Sequence, residues 1–183
     1  GRRTGKSVLL MVVPALSLLS MPLVYLNTHI HELCHALAAW ATGGNVLKIE
    51  VFSGGNGVTY TSGGMGVIIS SAGYVGAAAV GAIMIALAKN EKGARLSLNI
   101  LGGSLAISLL LLVRGDVVGL ATGAFWCAIA FVCAARLKQD ALLFAAQFLG
   151  VQQCLWSVVA LFVLWKINQI PGIQNDAVNA ENL

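Results

Sequence analysis

"NTHIHELCHALAAW", residues 27–40, sets two histidines four positions apart, His31 and His35, with Glu32 directly after the first. Some twenty mostly apolar residues precede it and "ALAAW" closes it. Four ionisable side chains, His29 included, thus lie in a segment otherwise suited to lipid. Such groups are costly inside a bilayer and are retained where they are paired or do chemistry. On a helix, positions i and i+4 share a face, so His31 and His35 can point at a common metal ion. Glu32, offset by one position, can lean toward a water on that ion. The pattern His-Glu-x-x-His needs this spacing because two imidazoles bind zinc while the carboxylate takes the water's proton. The competing reading is a pair of buried polar residues bonded to neighbouring helices.

The rest of the chain supports a membrane setting. Of its 183 residues, 58% are hydrophobic and 10% charged, with a mean hydropathy of +0.85. A soluble domain carries about 25% charged residues. The composition therefore excludes a water-soluble domain and implies an integral, multi-pass membrane protein in contact with the lipid bilayer. The net charge of +4 is read as loop placement, with no nucleic-acid partner. Cys34, Cys127, Cys133 and Cys154 all fall in apolar segments and read as buried free thiols. The opening "GRRTGK" lacks an initiator Met and reads as the start of a fragment or processed form. It is not followed by a signal-peptide cleavage site.

Apolar runs long enough to span a bilayer, about 20 residues, lie at about 65–88, 96–113, 117–135 and 141–165, separated by "KNEKGAR", "RGD" and "RLKQD". The first run, 8–41, would make a helix of about 51 Å at 1.5 Å per residue, longer than one crossing requires. Pro14 and Pro22 can kink or break it. Loop charge favours a single crossing. One side then carries Arg2, Arg3, Lys6, Lys89, Lys92, Arg95, Arg136 and Lys138, and the other only Lys48, Arg114 and Lys166. Two crossings would split the same cations nearly evenly, against the positive-inside bias. The expected architecture is all-α: one domain over 1–183, five transmembrane helices, and a tail at 166–183. Between the first two spans, "VLKIEVF" and "GVTYT" alternate apolar and polar residues around "SGGN", which predicts a short β-hairpin at 46–61. Its edge, with Ile49 and Val51 as candidate donors, can accept an extended peptide.

Other polar residues read more blandly. His29 lies off the His31/His35 face and reads as a packing or interfacial histidine. Cys34, adjacent to His35, is turned away from that face and reads as packing. Gln147, Gln152 and Gln153 in the last span read as interhelical hydrogen-bonding groups, with orientation of a substrate backbone as the alternative.

Four stretches together resemble the small subfamily of site-2-protease-like intramembrane zinc peptidases. They are "HELCHALAAWATGG" (31–44), "GVTYTSGG" (57–64), "AGYVGAAAVGA" (72–82), and "FLGVQQCLWS" (148–157) followed by "NDA" (175–177). The first is specific and the others supporting. The resemblance implies an α-helical membrane fold, Zn2+ as cofactor, and cleavage of transmembrane or membrane-associated protein substrates, with Glu32 as catalytic base and His31 and His35 as metal ligands. There are two departures. Cys34 stands where members commonly have Gly, and "LWSVVALFVLW" lacks the acidic residue that many relatives carry within or just after the last span. A catalytic zinc normally has three protein ligands. Of the candidate carboxylates Glu50, Glu91, Asp116, Asp140, Asp176 and Glu181, Glu91 and Asp140 fall on the far side of the bilayer. Glu50 points away from the apolar face of its strand, and Asp116 sits in a tight turn. Asp176, in the tail motif "NDA", is the expected third ligand, against the alternative of a solvated or capping residue. The rival to a peptidase is a non-catalytic scaffold or degenerate relative with a structural zinc. A Glu beside a ligand, which a structural site does not need, argues against it. Charge bias places the hairpin outside the cell, whereas the resemblance would place it on the cytoplasmic face.

Overall fold

The computed structural model describes the backbone of residues 2–167 and the side chains of 20–162 and 164. Among these residues the chain forms α1 (Arg2–Ala41), β1 (Asn45–Val51), β2 (Gly57–Ser62), α2 (Gly66–Leu87), α3 (Glu91–Leu111), α4 (Val117–Arg136) and α5 (Gln139–Ile167). The expected all-α membrane fold with one hairpin is the fold observed. α2, α3, α4 and residues 139–162 of α5 are each long and apolar enough to cross a membrane. α1 is one continuous helix of 40 residues, about 60 Å at the usual rise. It does not double back.

The helix ends follow local chemistry. α3 begins five residues before its apolar run. The Asn90 side chain accepts from the Gly93 N–H at 3.0 Å, capping the helix, and Glu91 pairs with Arg95 one turn on at 2.8 Å. Asp116, expected in a tight turn, is the N-cap of α4 and accepts from the Val118 N–H at 2.9 Å.

Outward surfaces are apolar. Val75, Leu110 and Phe144 are 66%, 74% and 69% exposed, as lipid-facing positions are. The interior is built from Leu98, Leu101, Leu105, Trp126, Ala130, Leu142 and Ala146, joined by Leu26, Ile30 and Cys34 of α1. α4 is tied to α1 by the Trp126 indole, which donates to the Pro22 carbonyl at 2.6 Å. α2 and α5 meet backbone to backbone at Gly81 and Gly150, where a Cβ on either would lie within 2.8 Å of the other's carbonyl oxygen. Small residues allow such close approach.

The hairpin is a two-stranded antiparallel sheet, with Ile49 opposite Thr59, Val51 opposite Gly57, and a register slip between Val46 and Lys48. Ile49 and Val51 are fully buried against Leu112, Val113 and Ala36. The outer edge of β1 is not open as expected. The Ile49 N–H donates to the Leu112 carbonyl, and the Arg114 N–H to the Ile49 carbonyl, both at 2.9 Å. The α3–α4 turn thus covers β1 and leaves β2 as the edge without a third strand.

Candidate metal centre and its cavity

Two faces of α1 divide the work. One faces the hairpin. The Tyr25 hydroxyl donates to the Ser53 carbonyl at 2.7 Å, and the Thr28 hydroxyl to the Gly55 carbonyl at 2.6 Å. The Thr59 hydroxyl of β2 lies 2.7 Å from Glu32 Oε2 and 2.9 Å from the Glu32 carbonyl oxygen. These positions recur at helical spacing, so the strand pair lies along one stripe of α1. Gly57 permits the contact, since a Cβ there would lie 2.7 Å from Glu32 Cγ.

The neighbouring face turns toward α2. His31 Nε2 and His35 Nε2 lie 3.0 Å apart, with ring centroids 4.6 Å apart and planes nearly perpendicular. His35 Nδ1 donates to the Ile69 carbonyl at 2.6 Å. A carbonyl can only accept, so the proton of neutral His35 resides on Nδ1 and Nε2 presents its lone pair. A partner on the far nitrogen orients metal-binding histidines in this way. Tyr74 stacks edge-on against His31, centroids 4.6 Å apart. Gly73 faces both rings, and a Cβ there would overlap His31 and His35 alike.

The arrangement therefore fits a metal ion on its chemistry: two imidazole nitrogens converge, one with a fixed tautomer, beside a glycine that leaves them room. Among the described residues no group of three or more His, Cys, Asp or Glu comes together. Asp176, the expected third ligand, lies outside the described residues. Three other carboxylates are engaged elsewhere, Asp116 as a cap, Glu91 with Arg95, and Glu50 with Lys48 at 2.9 Å.

A cavity of about 1040 Å³ opens beside the pair, lined by His31, Glu32 and His35, by β2, by the start of α2, and by Gln153, Trp156, Ser157 and Ala160 of α5. The sequence profile described as Peptidase M50B-like matches residues 6–183. The chain belongs to the Peptidase M50B-like family. No curated protein and no solved structure matches it. The membership agrees with the site-2-protease-like resemblance and makes the chain a multi-pass integral membrane member of a metallopeptidase family.

His29 and Cys34 do not join the M50B-like centre. His29 is buried toward α4, its Nε2 3.1 Å from the Thr122 hydroxyl. Cys34 packs on Gly76 of α2. Thr59, the Ile69 carbonyl, Gly73 and Tyr74 were missed as site residues by sequence reasoning. For Thr59 the alternation of "GVTYT", which puts Thr59 and Thr61 on one side, was the available signal. For Gly73 the small-residue stripe of α2 signalled only close packing.

Proposed function

We propose that this chain is an intramembrane zinc metallopeptidase that hydrolyses peptide bonds of membrane-embedded proteins, with Glu32 as general base. The observation that carries the reading is the convergence of His31 and His35 on one cavity wall with the adjacent Glu32 carboxylate, itself tethered by Thr59. His31 and His35 would hold the ion, and Asp176 is proposed as the third ligand. When bound, zinc supplies Lewis-acid activation of water and of the scissile carbonyl. The protein's part is proton handling and orientation. Glu32 takes a proton from the attacking water as its oxygen bonds to the carbonyl carbon. It then returns that proton to the nitrogen as the C–N bond breaks, so water is added across the bond. The Ile69 carbonyl keeps the His35 proton on Nδ1, and Thr59 keeps the Glu32 carboxylate at the cavity. The open edge of β2 offers an extended substrate main-chain partners.

The alternative, a non-catalytic relative with a structural metal, is favoured by the absence of an acid from the α5 wall of the cavity among the described residues. Metal analysis of purified protein tests the primary reading. Wild type should carry near-stoichiometric zinc, and the His31→Ala/His35→Ala variant should lose it. Equal, sub-stoichiometric zinc in both would sink the proposal.

A further inference from the structure

Two carboxamides in this cavity have no visible employment. Asn27 is 2% exposed and Gln153 1% exposed, both line the cavity, and neither the oxygen nor the nitrogen of either side chain has a hydrogen-bond partner. Native proteins seldom leave buried polar atoms unpaired, because the lost solvation is not recovered. Gln147, on the same helix as Gln153, shows the contrast: its Nε2 donates to the Ala88 carbonyl at 2.9 Å, the interhelical role expected of all three glutamines. Gln153 has instead been turned to the cavity from α5. Asn27 meets the same cavity from α1, one turn before His31 and two before His35, so the three share a stripe of α1.

We propose that Asn27 and Gln153 are substrate-binding residues whose carboxamides hold the main chain of an unwound substrate segment beside the histidine pair. The match is chemical. A carboxamide carries the same donor and acceptor as a peptide group. A transmembrane segment that loses its helix in an apolar setting exposes N–H and C=O groups that must be satisfied. Two orphaned carboxamides supply both kinds of partner without adding a charge. They come from two different helices, α1 and α5, that line one cavity together with the open strand β2, and its volume suits a ligand of several residues. Asn27 lies about 6 Å along α1 from His31 at 1.5 Å per residue. It would therefore grip the substrate a short distance from the bond to be cut, level with the hairpin turn that Tyr25 and Thr28 hold.

The proposal rests on the peptidase reading for the identity of the occupant, so binding is measured apart from turnover. The probe is a fluorescent single-span polyleucine peptide interrupted by Asn-Gly-Pro, titrated against the Glu32→Gln protein in phosphatidylcholine nanodiscs. Asn27→Leu and Gln153→Met, each added to that background, should weaken binding about 3- to 10-fold, the effect of losing one hydrogen bond. Zinc content should stay as in the parent, and the thermal midpoint should be unchanged or higher, since an unpaired buried amide has been replaced by an apolar group. In the active protein the same changes should raise KM more than they lower kcat. Gln153→Asn keeps the carboxamide but retracts it by a methylene, and covers the case in which Gln153→Met misfolds. It too should bind more weakly. Binding equal to the parent in these variants overturns the proposal. So does loss of zinc, which would make the amide oxygens metal ligands, or a lower midpoint with binding intact, which would make them structural. A wild-type protein that binds no zinc would defeat the peptidase reading without touching the peptide-binding result.

Discussion

The Thr59 hydroxyl lies 2.7 Å from the Glu32 carboxylate and 2.9 Å from the Glu32 main-chain carbonyl, so one hydroxyl of β2 locates both ends of a residue on α1. A base must be placed before it can act, and small displacements of a reacting group lower rates severely. Thr59→Val preserves shape and removes the tether. It should lower kcat about 10- to 100-fold while leaving zinc content unchanged, measured by cleavage of a reconstituted single-span substrate. Full kcat in a folded Thr59→Val protein would show that Glu32 is positioned without the strand.

Glu32 itself should be separable from the metal. Glu32→Gln keeps the size of the side chain and removes its basicity, so zinc should be retained while cleavage falls by at least about 100-fold, the usual contribution of a general base. Zinc lost along with activity would recast Glu32 as a ligand. Turnover at the wild-type rate would favour the non-catalytic reading.

Gly73 gives a steric test with an internal control. A methyl there collides with both imidazoles, so Gly73→Ala should force α1 and α2 apart, costing about 1–3 kcal/mol of stability and reducing zinc occupancy. Gly103, in α3, would meet nothing within 4 Å of an added Cβ. Gly103→Ala should leave zinc untouched and raise stability slightly, by about 0.5–1 kcal/mol, as alanine does in a helix. Thermal unfolding with metal analysis reads both, and equal zinc in the two variants would dismiss the cradle.

The hairpin carries a pH-dependent pair outside the spans. Lys48 Nζ donates to Glu50 Oε1 at 2.9 Å and sits 4.6 Å over the Tyr60 ring. That hydrogen bond holds the Lys48 ammonium above its ordinary pKa and the Glu50 carboxyl below its own. For Glu50 the folded pKa is depressed, so its stabilisation is present above the ordinary carboxylate range and is lost as pH falls through the folded value. For Lys48 it is raised, so the stabilisation is lost only as pH rises through the folded value. Stability from the pair is therefore flat between about pH 5 and 10. An exposed pair contributes little, so Glu50→Gln should leave the midpoint at pH 7 nearly unchanged and flatten the acid limb of a midpoint-against-pH curve, together with the alkaline limb, since Lys48 loses the same partner. A large drop at pH 7 would mean that Glu50 does more than pair with Lys48.

What was legible in the sequence was whatever a single segment encodes. The four-residue spacing of His31 and His35 places both on one helix face wherever that helix packs. The same periodicity turned His29 and Cys34 away from it. Hydropathy marked the spans because lipid demands apolar outward faces. The hidden parts were those made by segments far apart in the chain. Nothing local to Thr59 says that Glu32 lies beneath it, and nothing local to Ile69 says that its carbonyl meets His35. Gly73 reads like any small residue in a membrane helix until the imidazoles are placed against it. Asp116 looked like a turn charge because its helix-capping role depends on where α4 begins. The β1 edge looked open because the turn at 112–114 gives no strand signal of its own.

That covered edge decides how substrate engagement by the hairpin is tested. Ile49 directs its N–H and carbonyl to Leu112 and Arg114, so it faces away from β2. In an antiparallel pair this makes Ile49 and Thr59 a non-hydrogen-bonded couple, and the main-chain groups of Thr59 then point outward as well. The alternation carries this to Thr61, on the same side of a strand that lines the cavity. Proline at Ile49 would break a buried bridge at a residue with no exposure, and should unfold the hairpin instead of probing the substrate. Proline at Thr61 removes an outward N–H from the open edge, where proline is tolerated. Thr61→Pro should raise KM about 3- to 10-fold, the effect of one lost hydrogen bond, with zinc content and thermal midpoint near wild type. Thr61→Val, which keeps the N–H and loses only the hydroxyl, should behave as wild type. If Thr61→Pro leaves KM unchanged in folded, zinc-loaded protein, β2 is a brace for Glu32 and not a strand to which substrate adds.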